Sequence, residues 1–275
     1  MLLIFLIDLL YFRQKLKILI SNDDGIDSYG IIALGRELEK FGEVFIVAPI
    51  FEQSAAGHSI TMKRPLKVVK HFVEGRFFGY AINGTPADCV KIGITKVLNF
   101  IPDVVVSGIN HGSNTATNIV YSGTVSAARE ASMMDIPGIA FSINGRTSEN
   151  IDWAAEAAAK ITVKALEHGF ENGKLLNVNF PNLPKSEIKG TLITRQGISR
   201  FADTYDTVHD IIGREYHQLK GDFINLDGTD LSIDQNAIEN GYISITPIQL
   251  DSTDHTEIAK IKTWNFENLN GTDGN

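Results

Sequence analysis

Short apolar runs that end in turn residues and lead into segments of helical period succeed one another through the first two thirds of this 275-residue chain. That alternation limits the fold more than any other feature of the sequence. Residues 17–21 (Lys-Ile-Leu-Ile-Ser), 43–48, 77–82, 103–107 (Asp-Val-Val-Val-Ser) and 175–180 read as buried strands. Helices are expected after Ser28, where Ile31, Ile32, Leu34, Leu38 and Phe41 recur at helical spacing, and over about 86–98, where Thr85 can cap and Pro86 takes the first position. Two more are expected over about 124–134 and over the alanine-rich stretch 151–168. Strands alternating with helices imply an α/β fold on a doubly wound, mostly parallel, Rossmann-like sheet.

Beyond about Gly190 the character changes. Residues 195–219 carry no helical period and read as an extended arm or hairpin that needs a partner surface; a strand over 241–248 and a short helix over 256–261 follow. The expected organisation is therefore an α/β catalytic core over 17–190, a C-terminal β-rich arm with a closing strand and helix over 191–264, and a flexible tail over 265–275. The apolar segment 1–12 is too short to span a bilayer as a helix. It contains Asp8 and lacks both a basic start and a small-residue cleavage site before Arg13, Lys15 and Lys17. Residues 1–16 are accordingly read as a dispensable extension from an early start codon rather than a signal peptide, with a peripheral anchor as the lesser alternative.

A formal net charge of −8 disfavours wrapping a long nucleic acid, which wants a basic face, yet it leaves room for a small phosphorylated substrate. Cys89 is the only cysteine, so the chain has no internal disulfide and no thiolate metal cluster, which fits a reducing cytoplasm.

The first strand runs into Asn22-Asp23-Asp24-Gly25. Two adjacent carboxylates, with no basic residue in the next five positions, repel each other unless something positive lies between them. A divalent metal is the usual answer, although Asn, Asp and Gly also favour plain solvated turns. Two further loops follow strands and carry oxygen donors: Gln53-Ser54-Ala55-Ala56-Gly57-His58-Ser59, and Gly108-Ile109-Asn110-His111-Gly112-Ser113-Asn114 continuing to Tyr121-Ser122-Gly123-Thr124. In open α/β sheets such loops converge beyond the carboxyl ends of the strands. Carboxylate, hydroxyl and amide oxygens suit Mg²⁺ or Mn²⁺, and no His-x-x-x-His or Cys-x-x-Cys spacing competes. Tyr-Ser-Gly-Thr ahead of a helix offers free N–H groups to an anion, but Ser122 or Thr124 can equally be an ordinary cap. Asn110 and Asn114, set among glycines, can be turn residues, and His58 and His111 are more often hydrogen-bonded loop histidines than general acids.

Taken in order, Lys-Ile-Leu-Ile-Ser-Asn-Asp-Asp-Gly-Ile, Gln-Ser-Ala-Ala-Gly-His-Ser-Ile-Thr, Asn-Gly-Thr-Pro-Ala-Asp-Cys-Val, Ser-Gly-Ile-Asn-His-Gly-Ser-Asn and Tyr-Ser-Gly-Thr-Val-Ser-Ala-Ala resemble the survival protein SurE family from about Lys17 to Asp254. The resemblance implies a metal-dependent phosphatase acting on nucleoside monophosphates, a 5′-nucleotidase, with 3′-nucleotides and short polyphosphate as further substrates to be tested. It implies one divalent ion per subunit, Mg²⁺ or Mn²⁺, held by Asp23, Asp24, Ser54 and Asn110. It points to Asn114, Ser122, Gly123 and Thr124 for the phosphate, and to a homodimer or homotetramer formed by exchange of C-terminal arms. Relatives usually begin close to Lys17.

The expected chemistry is attack of water on a phosphomonoester, with Asp23 or Asp24 taking the proton; a phosphoaspartyl intermediate is the variant. Two rivals share the fold. A dinucleotide-dependent oxidoreductase would need Gly-x-Gly-x-x-Gly after the first strand, which Asp24-Gly25-Ile26-Asp27 does not supply. A noncatalytic nucleotide-binding module would keep the anion turn and have no need of paired carboxylates.

Overall fold

Strands that are apolar on both faces must be covered on both faces, and this requirement puts them at the centre of a sheet. A computed structural model describes residues 15–145, 147–169, 171, 173–264 and 266. The extension 1–16, save Lys15 and Leu16, and the tail 265–275, save Phe266, lie outside the described residues. In chain order the elements are β1 (Leu16–Ser21), α1 (Tyr29–Leu38), β2 (Gly42–Pro49), β3 (Val68–Val73), β4 (Arg76–Ile82), α2 (Pro86–Ile92), β5 (Val104–His111), α3 (Gly123–Met133), β6 (Gly138–Asn144), α4 (Ile151–His168), β7 (Lys174–Pro181), β8 (Gly190–Ile193), β9 (Arg200–His209), β10 (Glu215–Ile224), α5 (Asp234–Glu239), β11 (Tyr242–Gln249) and α6 (Glu257–Lys262).

Nine strands form one sheet in the order β3-β4-β2-β1-β5-β6-β7-β11-β8, and β9 and β10 pair separately as an antiparallel hairpin. The run from β4 to β7 is parallel throughout. Only β3, paired with β4, and β11, paired with β7, run against their neighbours. The period-2 alternation of β1 splits the core in two. Ile18 and Ile20 pack with Ile31, Leu34 and Leu38 of α1 and Ala154, Ala155 and Ala158 of α4. Leu19 packs on the opposite face with Cys89 and Val90 of α2 and Ala127 and Ala131 of α3. The sheet is therefore doubly wound, as the alternation of apolar runs requires.

Local differences from the sequence reading have physical causes. Ser28 precedes α1 in an extended conformation but makes no side-chain cap; its hydroxyl accepts a hydrogen bond from Asn22 Nδ2 at 2.7 Å instead. Phe41 lies past the end of α1 and is exposed, so it does not extend the apolar stripe. The helix begun at Pro86 ends at Ile92 and continues to Val97 as a wider π turn. Residues 138–144, a strand that the alternation of the sequence leaves unmarked, fill the slot between β5 and β7.

The chain leaves β1 for β2 on one side and returns to β5 on the other, which makes the carboxyl ends of β1 and β5 the switch point of the sheet. The helix α1 is pressed onto that point. A Cβ on Gly30 would sit 2.0 Å from the Ile109 carbonyl oxygen of β5, so only glycine lets the helix approach. Forcing a side chain into a packed contact costs about 1–3 kcal/mol. Gly30→Ala should therefore lower the thermal midpoint by about 3–10 °C in a circular dichroism melt, and an unchanged midpoint would mean that α1 does not bear on β5 as described.

Candidate active site

Asn22 sets the shape of the loop after β1. Fully buried, it donates to the Gly25 carbonyl at 2.8 Å and to Ser28 Oγ, closing the turn on itself so that Asp23 and Asp24 stand at the strand end. The Asp23 carbonyl accepts the Gln53 N–H at 2.7 Å, which ties this loop to the one after β2. The Asp23 side chain is buried, and its Oδ1 accepts the hydroxyl proton of Thr124 from the first turn of α3. Gly123 makes this possible, because a Cβ there would lie 2.8 Å from Asp23 Cβ and 3.0 Å from Oδ2. Asp24 is less buried, and its Oδ2 faces the His111 N–H at 3.4 Å and Nδ1 at 3.5 Å.

Burial pushes the Asp23 carboxyl up to about 6, against the pull of the Thr124 hydroxyl and with the push of the Asp24 charge. Burial raises Asp24 as well, opposed by His111. Hydroxyl and backbone N–H groups of Thr124 and the Asp23 N–H answer part of the Asp23 charge and His111 part of that on Asp24, and no lysine or arginine lies within ion-pair distance of either among the described residues.

The loop after β2 is held by side chains whose role lies in support. Thr85 and Asp88 form a reciprocal capping box at the start of α2, and each reaches back as well: Thr85 Oγ1 donates to the Ser59 carbonyl at 2.7 Å, and Asp88 Oδ1 accepts the Thr61 N–H at 2.9 Å. Glu130, buried on α3, binds His58 Nε2 at 2.9 Å and Lys91 Nζ at 2.5 Å. Burial alone would raise the Glu130 carboxyl, but the bonds from His58 and Lys91 hold it below the usual range. His58 is thus an anchor of the loop, and its position leaves Ser54 exposed, with its hydroxyl donated to the Glu52 carboxylate.

In β5 the pairing with β6 slips by one residue between Ser107 and Asn110. A bulge of this kind re-aims the following side chain. Asn110 Nδ2 donates to the Gly112 carbonyl at 2.7 Å, leaving Oδ1 without a donor among the described residues. Asn114 is buried in a net of amides: its N–H goes to Asn179 Oδ1 at 2.8 Å, its Nδ2 to Ser142 Oγ at 2.8 Å, and its carbonyl accepts Asn177 Nδ2 at 2.7 Å. Ser122 caps α3, its Oγ accepting the Val125 N–H at 3.0 Å.

Asp23, Ser54, Asn110, Asn114 and Ser122 line one cleft of about 560 Å³, a volume typical of small-molecule sites. Asp24, Gly123 and Thr124 stand outside the lining; Asp24 rests beside His111, Gly123 is buried against Asp23, and Thr124 is fully buried with its hydroxyl on Asp23. The oxygens that point into this region are carboxylate, hydroxyl and amide, a set suited to a hard divalent cation that keeps part of its water shell. No cluster of three or more His, Cys, Asp or Glu that could hold a metal occurs among the described residues, and the one imidazole lining this cleft, His111, faces Asp24. The cleft is completed by Phe201, Phe223, Gln235 and Glu239. The aperiodic sequence after Gly190 carries no signal that would single them out.

A model of the survival protein SurE family matches residues 18–203. The chain is 41% identical over 255 residues to a 5′-nucleotidase SurE of Chlorobaculum tepidum, covering 93% of this chain and 97% of that one. It is 41% identical over 267 residues to a 5′-nucleotidase SurE of Flavobacterium johnsoniae, covering 94% and 99%. The crystal structure of a SurE protein from Aquifex aeolicus matches the fold with a TM-score of 0.77 at 38% identity, over 90% of this chain and 98% of that one. With the paired aspartates, the capped α3 turn and the parallel sheet all in one chain, this protein belongs to the survival protein SurE family.

Proposed function

We propose that this chain is a divalent-metal-dependent phosphatase that hydrolyses nucleoside monophosphates to nucleoside and phosphate. The observation that carries the reading is the pair Asp23 and Asp24, both desolvated at the switch point of the sheet with no lysine or arginine within ion-pair distance among the described residues. Relatives named as 5′-nucleotidases over nearly their full length support the substrate class. The loop after β1 has no Gly-x-Gly-x-x-Gly, which speaks against a dinucleotide-dependent oxidoreductase.

Asp23, Asp24, Ser54 and Asn110 are the proposed ligands of one Mg²⁺ or Mn²⁺ per subunit. When bound, such an ion supplies Lewis-acid polarisation of a phosphoryl oxygen and a water of lowered pKa. The protein does the rest. The N–H groups of Gly123 and Thr124 at the start of α3, with the Ser122 hydroxyl, meet the negative oxygens of the phosphate. The Asn114 side chain, pinned by Ser142, approaches the same group from the opposite wall. Asp23 or Asp24 takes the proton of the attacking water. The Thr124 side chain acts through Asp23, holding its carboxylate in one orientation.

The subunits are proposed to associate as a homodimer or homotetramer through the β9–β10 hairpin. Its exposed Tyr205, Val208, Ile211, Ile212, Tyr216 and Leu219 support that reading, since no soluble hairpin needs so much apolar surface in water. A cytoplasmic location is supported by the lone, buried Cys89. Among the described residues no helix is long and apolar enough to cross a membrane.

Phosphate release from a panel of mononucleotides should vanish after chelation and return with Mg²⁺ or Mn²⁺; turnover that survives exhaustive chelation would refute the role given to the carboxylates. Asp24→Asn should lower turnover by more than about 100-fold, beyond the loss expected for a residue that only supports a ligand. Its thermal midpoint in chelator should equal or exceed that of the parent, because a desolvated like-charged pair has been relieved. Thr124→Val keeps the shape of the residue and deletes the donor to Asp23. Metal titration of this variant should give an affinity about 10- to 100-fold weaker with the fold intact by circular dichroism.

A further inference from the structure

The chemistry of phosphate release uses one wall of the cleft; the other is aromatic and acidic. Phe201 on β9 and Phe223 on β10 are register partners at the root of the hairpin, edge to face with centroids 5.5 Å apart. Both line the cleft, and Phe201 keeps 46% of its surface exposed, although a freely solvated phenylalanine gains nothing by standing there. The wall is fixed in place. The Asp227 carboxylate accepts the N–H groups of Ile198 at 3.0 Å and Ser199 at 2.9 Å, and the Ser199 carbonyl accepts the Thr117 N–H at 3.2 Å. Fully buried Asp234 accepts the Ala116 N–H at 2.9 Å and the Gly197 N–H at 3.1 Å. The root of the hairpin is thereby welded to the loop that carries Asn114.

Glu239 is exposed and lines the same cleft as the aromatic pair. Gln235 Nε2 donates to Glu239 Oε1 at 2.6 Å, and Gln235 in turn accepts the Thr115 hydroxyl proton. Glu239 Oε2 receives no hydrogen bond among the described residues. A flat apolar face and an oriented carboxylate oxygen lining one cleft match one kind of ligand: an aromatic ring whose edge carries N–H donors.

We infer that the root of the β9–β10 hairpin is the base subsite, with Phe201 stacking on the nucleobase and Glu239 accepting from its exocyclic amine. This rests on the nucleotidase reading and deepens it. Adenine, cytosine and guanine each offer such an amine. Uracil offers a single N–H flanked by two carbonyl oxygens that a carboxylate repels, so it is the disfavoured base.

The test compares AMP, UMP and ribose 5-phosphate with the full-length, metal-loaded protein, alongside calorimetric titration with adenosine, which has no phosphate. Phe201→Ala should reduce the preference in kcat/KM for AMP over ribose 5-phosphate by about 5- to 100-fold, the range for loss of one base–aromatic stack, and weaken adenosine binding in parallel. Glu239→Gln, at an exposed position where folding is not at stake, should narrow the AMP over UMP preference about tenfold. Unchanged ratios in both variants would overturn the subsite, as would a parent enzyme equally active on AMP and ribose 5-phosphate, which would leave the phosphatase reading standing. A parent inactive on every phosphate ester would defeat that reading instead, and adenosine binding lost in Phe201→Ala would still support the aromatic wall.

Discussion

Desolvating Asp23 is the step on which the rest of this structure turns. A carboxylate at the end of a strand, enclosed by its own loop, by the loop after β2 and by the first turn of α3, raises its own free energy unless its charge is answered. The fold answers only part of it, with the Thr124 hydroxyl and the backbone N–H groups of Thr124 and Asp23. The glycine before that threonine is required because the helix must come within van der Waals contact of the aspartate, and Pro86 of α2 crowds the same point at 3.0 Å. The protein thus brings three elements together around a charge that none of them neutralises. An arrangement of this kind is unfavourable as scaffold and makes sense as a socket.

Seen from that socket, the sequence motifs divide into those that face the ligand and those that hold the first group still. Asn-Gly-Thr-Pro-Ala-Asp supplies no atom to the cleft; its Thr85 and Asp88 cap α2 and spend their spare hydrogen bonds on Ser59 and Thr61. Glu130 does comparable work from inside α3, gripping His58 and Lys91. Since Ser122 and Gly123 also begin α3, a single helix positions the proposed phosphate turn at its start and anchors the Ser54 loop two turns later through Glu130 and His58. Coupling of this sort fixes the distance between two loops that share no backbone hydrogen-bond ladder.

The sheet and its helices were legible because their physics is local. Residues 151–168 carry a helical period and emerge as α4 over the same span, and the Thr85-Pro86 start of α2 is a capping rule written in adjacent residues. Asp23, Ser54 and Asn110 could be placed at a common crevice because parallel sheets gather the loops that follow their strands. What escaped was set by contacts between distant residues. Thr124 has the composition of a phosphate-binding turn, but only the packing of α3 on β1 reveals that its hydroxyl is donated to Asp23. Likewise β6 begins with Gly138, whose Cβ would lie 2.1 Å from the Ala128 carbonyl, so that a residue poor in strand propensity is demanded by a helix ten residues earlier.

The C-terminal third presents the reverse case, in which a polar aperiodic sequence conceals a rigid structure. Asp227 and Asp234 gather backbone N–H groups from segments about 30 to 120 residues away in sequence and so do the work of a strand pairing where no strand exists. For Asp234 burial raises the carboxyl, and the three backbone donors pull against it. The hairpin beyond these clamps is exposed and alternates polar residues with a few apolar ones such as Tyr205, Val208 and Leu219, while its root is fastened to the Asn114 loop. Because the clamps act on the root alone, the arm can change what it touches without loosening the strand pair Phe201 and Phe223 that faces the cleft.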